Sequence, residues 1–371
     1  MEIGILTFHF SCNFGGVLQC YALQKFLISS GHNVKIINYI PPNSKSLPYW
    51  RQFVNRKLTF ADAKKILKKI RYAPTQKAEF NLFRKNYINL TDSLSYKQLS
   101  SITNEFDAII VGSDQIWNPS QHKIGSYFLL HLEKFSGRRI SYAPCCALNK
   151  IDSKNRLHLK DALSKFYAIS VRNNETEEFV YNLLGISPPI VVDPTLLWNF
   201  EEFISKKPLI NEHYILVYIL GKEINGGHAN VIESLKSKFV DTKIISVIQT
   251  ENNPQLFDWS DLTYWHANPI EWLNLIYHAS FIYTDSFHGV LFSIKFKKQF
   301  LAYYSEKARA SRFIDLLDRF ESLDKSIVES YSEAIRKSSF DEIINYEYLH
   351  KNLETEIQKS ILFINNSLIS K

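Results

Sequence analysis

Short runs of apolar residues alternate along this chain with stretches in which apolar residues recur every three or four positions. The runs predict strands and the periodic stretches predict helices. In the first half the predicted strands are 3–8, 34–40, 107–112, 139–143, 167–171 and 190–192, and the predicted helices are 16–29, 62–71, 153–166 and 176–184. Continuous apolar runs such as 108–111 are typical of parallel strands that are covered on both faces.

A second alternating set follows a crossover at 198–212. Its predicted strands are 214–220, 243–248, 281–284 and 300–304, and its predicted helices are 229–239, 270–279, 290–296 and 312–320. This order predicts an α/β protein with two Rossmann-like domains that face each other across a cleft. We expect the first domain at 1–197, the second at 213–335, and a C-terminal helix in 336–371 whose single apolar stripe packs back on the first domain.

The composition is that of an ordinary globular protein. It has 371 residues, of which 45% are hydrophobic and 22% charged, enough for about two domains. No window approaches the ~18 uncharged apolar residues that span a bilayer, and residues 1–8 lack the basic start of a signal peptide, so we expect a cytoplasmic protein. The four cysteines show no metal-ligand spacing, which predicts free thiols and no metal site.

The formal net charge of +7 is unevenly spread. Residues 51–88 contain eleven basic and two acidic residues, in a helical pattern interleaved with aromatic and aliphatic side chains. One interpretation is a basic amphipathic insertion that meets an anionic membrane surface or a lipid-linked diphosphate. The alternative is a solvated helix face. Nucleic acid is disfavoured as a partner, because no recognised binding motif accompanies the charge.

The sequence from Tyr283 to Val290 is the strongest candidate for chemistry. It predicts a buried strand, a polar turn and a helix, which places His288 in the first turn of that helix. Ligands of open α/β sheets bind at this edge, and the helix start favours an anion. A histidine there can move protons beside a phosphate or carboxylate. The alternative is a capping serine followed by a histidine that only satisfies the turn.

Two further strand ends carry candidate ligand-binding residues. Gly15 and Gly16 begin the first predicted helix and permit close backbone approach to a ligand, although a tight structural turn explains them equally well. Asp114, Gln115 and Trp117 follow the third strand. A tryptophan beside a carboxylate and an amide is a typical arrangement for holding a sugar. The alternative is that Asp114 caps a turn and Trp117 fills the core.

Basic side chains follow two other strands. Arg172 ends the strand at 167–171 and offers a bidentate fork for a carboxylate or phosphate, with a surface salt bridge as the alternative. Lys307, Arg309 and Arg312 follow the strand at 300–304. Three cations at a loop and helix start indicate an anion clamp near His288.

Taken together these pieces give a family resemblance. The chain resembles the polysaccharide pyruvyl transferase family over about residues 3 to 320. The matching segments occur in family order: Gly4-Ile5-Leu6-Thr7-Phe8-His9, Asn13-Phe14-Gly15-Gly16-Val17-Leu18-Gln19, Tyr21-Ala22-Leu23-Gln24, Val111-Gly112-Ser113-Asp114-Gln115-Ile116-Trp117-Asn118, Ile169-Ser170-Val171-Arg172, Val192-Asp193-Pro194-Thr195-Leu196-Leu197, Thr284-Asp285-Ser286-Phe287-His288-Gly289 and Ser311-Arg312.

The resemblance implies a fold like that of GT-B transferases and a reaction that moves pyruvate from phosphoenolpyruvate onto two sugar hydroxyls. The product is a cyclic ketal, and phosphate is released. Phosphoenolpyruvate is then the donor substrate, and no cofactor is implied. We expect the acceptor to be a hexose in a surface-polysaccharide precursor linked to polyprenyl diphosphate, with the enzyme at the inner face of the membrane.

The resemblance also implies roles for individual residues. The catalytic residues would be His288 and Asp114. The donor would bind to Arg172, Ser286, Lys307, Arg309 and Arg312, and the acceptor to His9, Asn13, Gly15, Gly16, Gln115 and Trp117. The chain departs from relatives at Ser286, where some members carry arginine. An alternative function is a nucleotide-sugar glycosyltransferase of the same GT-B fold, and a third is a sugar- or lipid-binding module without activity.

Overall fold

A computed structural model describes residues 1–41, 59–118, 127–129, 132, 135–146, 153–250 and 257–369. The first eight residues of the predicted basic insertion, 51–58, lie outside the described residues. Among the residues that are described, no helix has the length and apolar character needed to cross a bilayer.

The first domain is built on a five-stranded parallel sheet in the order β2-β1-β3-β4-β5. Its strands are β1 (Glu2–Leu6), β2 (Asn33–Ile36), β3 (Ala108–Val111), β4 (Arg138–Ser141) and β5 (Ala168–Ile169), and its helices are α1 (Phe14–Ser29), α2 (Phe60–Tyr87), α3 (Ser153–Ser164) and α4 (Asn174–Leu184). All four residues of β3 are buried, as the continuous apolar run predicted.

The second domain has a six-stranded parallel sheet in the order β11-β10-β9-β6-β7-β8. Its strands are β6 (Tyr214–Tyr218), β7 (Lys243–Val247), β8 (Leu262–Tyr264), β9 (Phe281–Thr284), β10 (Phe300–Tyr303) and β11 (Ile327–Val328), and its helices are α5 (His228–Lys238), α6 (Pro269–His278), α7 (Phe287–Lys295), α8 (Lys307–Arg319) and α9 (Tyr331–Arg336). This is the strand order of a dinucleotide-binding Rossmann fold.

The carboxyl edges of the two sheets meet. In each sheet the strand order reverses at one point, between β1 and β3 in the first and between β6 and β9 in the second. Ligands of such sheets bind outside the carboxyl ends of the strands at these reversals. Gly15, after β1, touches His288, after β9, so the two reversal points face each other. The prediction of two Rossmann-like domains is confirmed.

The C-terminal helix α10 (Tyr346–Leu368) crosses both domains. Near its start, Nε2 of His350 donates to the Ile294 carbonyl of the second domain at 2.8 Å. Farther along, Ser360 Oγ accepts from the Val192 amide of the first domain at 2.9 Å, and Arg138 Nη1 donates to the Ser367 carbonyl at 2.9 Å. The second half of the helix therefore packs back on the first domain, as predicted.

Several predicted elements differ from the observed ones. The helix predicted at 62–71 extends over Phe60–Tyr87 and contains Pro74. Residues 190–192 do not form a sheet strand, because Ile190 makes only an isolated bridge to Val171. The short strands β8 and β11 at the two edges of the second sheet were not predicted, since two or three residues give too little pattern.

Candidate active site

Four ionisable side chains meet where the two carboxyl edges come together: Asp114, Arg172, Asp193 and His288. Asp114 follows β3, Arg172 follows β5, Asp193 precedes a short 3-10 helix at Pro194–Leu196, and His288 lies in the first turn of α7. Arg172, Asp193 and His288 are buried, whereas the Asp114 side chain is 17% exposed. We call these four residues the charged cluster.

Arg172 joins the two carboxylates of the cluster. Its Nη1 donates to Asp193 Oδ2 at 2.5 Å and its Nη2 to Asp114 Oδ1 at 3.0 Å, while Nε donates to Cys145 Sγ at 2.9 Å. The ring of Phe287 lies 4.8 Å from the guanidinium carbon. A buried cation needs such partners. In this structure the two carboxylates of the cluster occupy the fork of Arg172, and its donor-binding role stays a prediction.

Asp193 lies in a segment that resembles the family, but the sequence predicted no role for it. Its Oδ1 accepts from the amide and hydroxyl of Thr195, at 3.0 and 2.8 Å, and its Oδ2 lies 3.5 Å from Nε2 of His288. Burial alone would raise the pKa of Asp193, but His288 and Arg172 together hold it far below its ordinary value. The Asp193 carboxylate therefore stays ionised in the folded protein.

The imidazole of His288 is held between Asp193 and the backbone of α1. Its Nε2 is buried and makes no hydrogen bond to any of the described residues. On the other side, a Cβ placed on Gly15 would overlap Cγ and Nδ1 of the ring. Gly15 was predicted to let an acceptor approach the backbone. In the structure the imidazole of His288 occupies that space, and acceptor binding by Gly15 stays a prediction.

The turn between β9 and α7 is fixed by its own polar groups. Ser286 caps α7, since its Oγ accepts from the Gly289 amide at 3.2 Å, and its own amide donates to Thr284 Oγ1 at 3.0 Å. The Asp285 carboxylate accepts from the amides of Leu220 and Gly221, both at 2.6 Å. These bonds hold His288 at the end of β9. The donor-binding role of Ser286 remains a prediction.

Asp114 sits in a turn with unusual backbone geometry. Gly112 has φ +140°, and a Cβ there would overlap the Tyr142 carbonyl oxygen, while Asp114 itself has φ +70°. The Asp114 carbonyl accepts from the Cys145 amide at 2.7 Å. Burial would raise the pKa of Asp114, but Arg172, His288 and Arg312 lower it below its ordinary value. Arg172 donates to Oδ1 of Asp114, and the side chain is partly exposed, so its carboxylate is accessible to a substrate hydroxyl.

Of the three cations in the predicted anion clamp, Arg312 is placed beside the cluster. It lies on α8, with its guanidinium carbon 5.7 Å from the ring centroid of Phe287. Arg312 and Arg172 therefore contact the same ring. Lys307 and Arg309 begin α8 in the same turn region, but their side chains lie outside the described residues.

Two predicted acceptor-binding residues belong to the core. Trp117 is fully buried, donates from Nε1 to the Tyr127 carbonyl at 3.0 Å, and stacks on Phe128 at 5.2 Å. His9 is buried with its ring nitrogens 3.3 Å from the Thr7 carbonyl and 3.1 Å from Asn38 Oδ1, and burial lowers its pKa. In this structure neither side chain offers a face or an edge to solvent, and their acceptor-binding role stays a prediction.

The remaining acceptor candidates lie at the same edge of the sheet. Asn13 caps α1, because its Oδ1 accepts from the Gly16 amide at 2.9 Å. Gln115 is half-buried, and its Oε1 accepts from Asn118 Nδ2 at 3.4 Å. Acceptor binding by Asn13, Gly16 and Gln115 remains a prediction.

The cysteines and the potential metal-ligand side chains of the described residues are the candidates for a second site. All four cysteines are free and buried. Burial raises the pKa of Cys145 to about 11, which makes its thiol a poor nucleophile at neutral pH. Within the described ranges, no three His, Cys, Asp or Glu side chains are placed to hold a metal ion.

Comparison with known proteins connects this geometry to a family. The family model described as "Polysaccharide pyruvyl transferase" matches residues 13–307, a range that contains the whole charged cluster. The chain belongs to the polysaccharide pyruvyl transferase family. No curated protein matches the sequence.

Solved structures of other proteins share the fold of this pyruvyl transferase family member. The glycotransferase of kitacinnamycin is similar with a TM-score of 0.50 and 10% identity, covering 99% of both chains. Arabidopsis thaliana UGT89C1 complexed with quercetin is similar with a TM-score of 0.50 and 12% identity, covering 97% of this chain and 94% of that one. At such identities the likeness concerns the fold alone, and it agrees with the GT-B-like architecture.

Proposed function

We propose that this family member transfers pyruvate from phosphoenolpyruvate to two hydroxyls of a hexose in a surface-polysaccharide precursor. The products are a cyclic ketal and phosphate. The charged cluster carries the proposal, because it sets an imidazole against an ionised carboxylate, beside a second carboxylate that is partly exposed. The family match supports pyruvyl transfer.

The reaction needs proton transfer at two kinds of atom. The C3 methylene of phosphoenolpyruvate takes up a proton and becomes a methyl group, while two sugar oxygens form bonds to C2 and the bond from C2 to the phosphate oxygen breaks. The two hydroxyls lose two protons, of which one balances the new methyl group and the other leaves with phosphate. General acid–base catalysis of such steps requires a group that can give and take protons near pH 7.

His288 is suited to that role in the proposed mechanism. Its imidazolium would donate to C3 and then recover a proton from the attacking hydroxyl. Asp193, 3.5 Å from Nε2, stabilises the positive charge that the ring carries when it is protonated. Asp193 thus positions His288 without contacting the substrate.

Asp114 would bind the acceptor in this mechanism. Its pKa is lowered, so it stays ionised and is a weak base, but its Oδ2 can accept a hydrogen bond from a sugar hydroxyl and orient it toward C2. Arg172 holds Oδ1 in place. The phosphate and carboxylate of the donor would lie by Arg312 and the start of α7, where the positive end of the helix dipole favours anions.

One contact favours phosphoenolpyruvate over a nucleotide sugar as donor. At the reversal point of the second sheet, the amides of Leu220 and Gly221 already bind the Asp285 carboxylate. In Rossmann folds such amides at a strand end commonly bind a diphosphate. A carboxylate in that position would repel a diphosphate, which supports pyruvyl transfer against the glycosyltransferase alternative.

The proposal is tested by turnover in D₂O with phosphoenolpyruvate and a panel of hexosides that have free 4,6- or 3,4-hydroxyl pairs. The expected product is a ketal whose methyl group carries one deuterium, formed with an equal amount of phosphate. Proton NMR detects the deuterated methyl group of the ketal, and a phosphate assay measures the phosphate that is released. Glycoside formation from a nucleotide sugar, with no consumption of phosphoenolpyruvate, would replace this function by the glycosyltransferase one.

A further inference from the structure

Helix α2 has two faces with opposite character. The inward face buries Gln76, Phe80, Phe83 and Arg84. The outward face leaves four large apolar side chains in solvent, with exposed fractions of 88% for Phe60, 68% for Leu67, 67% for Ile70 and 51% for Leu82. Large apolar side chains exposed together on one surface indicate an interaction site.

The inward face fixes α2 to both domains. Gln76 Nε2 donates to the Ile248 carbonyl at 2.9 Å, and its Oε1 accepts from the amide and hydroxyl of Thr250, at 2.8 and 2.7 Å. At the other end, Arg84 Nη1 donates to the carbonyls of His9 and Ser11, at 3.2 and 3.1 Å. The outward face is therefore presented in a fixed orientation relative to the active site.

The exposed apolar residues form one stripe. Phe60, Leu67, Ile70 and Pro74 are three, four or seven positions apart, which places them on the same side of a helix. Exposed basic residues alternate with them at Lys64, Arg71, Lys77 and Lys85. The whole helix carries eight basic and two acidic residues. We call this surface the outer stripe.

We propose that the outer stripe docks on an anionic phospholipid bilayer. The apolar side chains would enter the boundary between headgroups and acyl chains, while the basic side chains contact lipid phosphates, as in other interfacial helices. The charge of the stripe complements an anionic surface. A nucleic acid could pair with the basic side chains, but it would leave Phe60, Leu67 and Ile70 exposed to water. The presence of both basic and apolar side chains on one surface therefore favours a lipid bilayer.

This inference stands apart from the proposed reaction, because it predicts binding to lipid in the absence of any substrate. If both hold, docking would place the enzyme at the membrane, where the proposed polyprenyl-linked acceptor would lie. Failure of one leaves the other testable.

The test is co-sedimentation of the full chain with vesicles of phosphatidylcholine alone or of equal parts phosphatidylcholine and phosphatidylglycerol. Arg71→Glu, Lys77→Glu and Lys85→Glu are combined in one variant. The matched control combines Lys160→Glu, Lys236→Glu and Lys351→Glu, which are exposed lysines of α3, α5 and α10. Both variants have the same net charge, and circular dichroism checks that both fold.

The wild type and the control should sediment with the anionic vesicles, and the α2 variant should bind on the order of a hundredfold more weakly, because attraction to anionic lipid grows with each nearby basic residue. A second variant, Leu67→Ser with Ile70→Ser, should lose the part of the binding that survives high salt. The inference is overturned if the wild type does not bind, if the control loses as much as the α2 variant, or if a duplex oligonucleotide binds more tightly than the vesicles.

Discussion

His288 touches two groups that come from the other domain, the carboxylate of Asp193 and the backbone of Gly15. Substituting His288 with Ala should lower turnover by about 10² to 10⁴-fold, because it removes the only imidazole of the charged cluster. Binding of phosphoenolpyruvate should persist, since the positive groups around Arg312 remain. Phosphate release measures the first effect and isothermal titration calorimetry the second. Near wild-type turnover in this variant would remove His288 from the mechanism.

The contact between Gly15 and His288 gives a second prediction. Gly15→Ala places a methyl group where the imidazole lies, so we expect a loss of about 1 to 3 kcal/mol in unfolding free energy, which is typical of overpacking. Gly16→Ala is the matched control, because its Cβ would come no closer than 3.5 Å to another group. Urea denaturation compares the two. Equal stability of both variants would contradict the observed packing.

The lowered pKa of Asp193 predicts that the stability of the folded protein depends on pH. Its pKa in the folded protein lies below the ordinary value of 3.8, so its stabilising contribution is complete above that value and is lost as the pH falls through the folded pKa. Asp193→Asn should cost about 3 to 5 kcal/mol at pH 7, because a buried ion pair loses a partner. Below pH ~4, the unfolding free energy of this variant should then fall less steeply than that of the wild type, by up to ~1.4 kcal/mol per pH unit.

Denaturant titrations from pH 7 to pH 2 measure both parts of this prediction. Asp92→Asn, at an exposed position, serves as the control and should follow the wild-type curve. Parallel acid profiles for the wild type and the Asp193 variant would show that Asp193 is not the titrating partner of the cluster.

The sequence could predict the position of site residues that directly follow a strand. His288, Asp114 and Arg172 come together because each follows a parallel strand, and such ends share one edge. Trp117 and His9 also follow strands, but whether their side chains turn inward depends on packing that the local pattern does not record. No role was predicted for Asp193, although it follows the predicted strand at 190–192, because nothing in the local sequence shows that its side chain meets Arg172 and His288.

At the scale of elements, α2 differs most from its prediction. Pro74 lacks an amide hydrogen and usually ends or kinks a helix, so the predicted helix ended at 71 although the helical pattern ran through 51–88, whereas the observed helix continues to Tyr87. The tertiary contacts of its later turns, made by Gln76, Phe80 and Arg84, support the continuation. The spacing of apolar residues along the chain does not reveal contacts between residues that are distant in the sequence.

Those contacts give a prediction for α2 as a link between the domains. Gln76→Ala would leave the Thr250 amide and the Ile248 carbonyl buried without their partner, at a cost of about 2 to 4 kcal/mol in unfolding free energy. The neighbouring exposed residue provides the control, since Lys77→Ala should change stability by less than ~0.5 kcal/mol. Urea denaturation at pH 7 measures both. An unchanged Gln76 variant would mean that its hydrogen bonds to Ile248 and Thr250 do not stabilise the folded protein.

At the scale of the whole molecule, alternation of strands and helices was enough to predict two Rossmann-like domains. It could not show that the two carboxyl edges close on each other tightly enough for Gly15 to touch His288. Packing of the last helix on the first domain was predicted, but its start on the second domain was not. Both facts depend on how the two domains pack, and they place the charged cluster at the junction.

The central claim is that this junction binds phosphoenolpyruvate, and thermal unfolding with candidate donors tests it without knowledge of the acceptor. A ligand at a hundred times its dissociation constant adds about 2.7 kcal/mol to the unfolding free energy, which raises the melting temperature measurably. The account predicts stabilisation by phosphoenolpyruvate and none by uridine- or thymidine-diphosphate sugars. Stabilisation by a nucleotide sugar alone would contradict it.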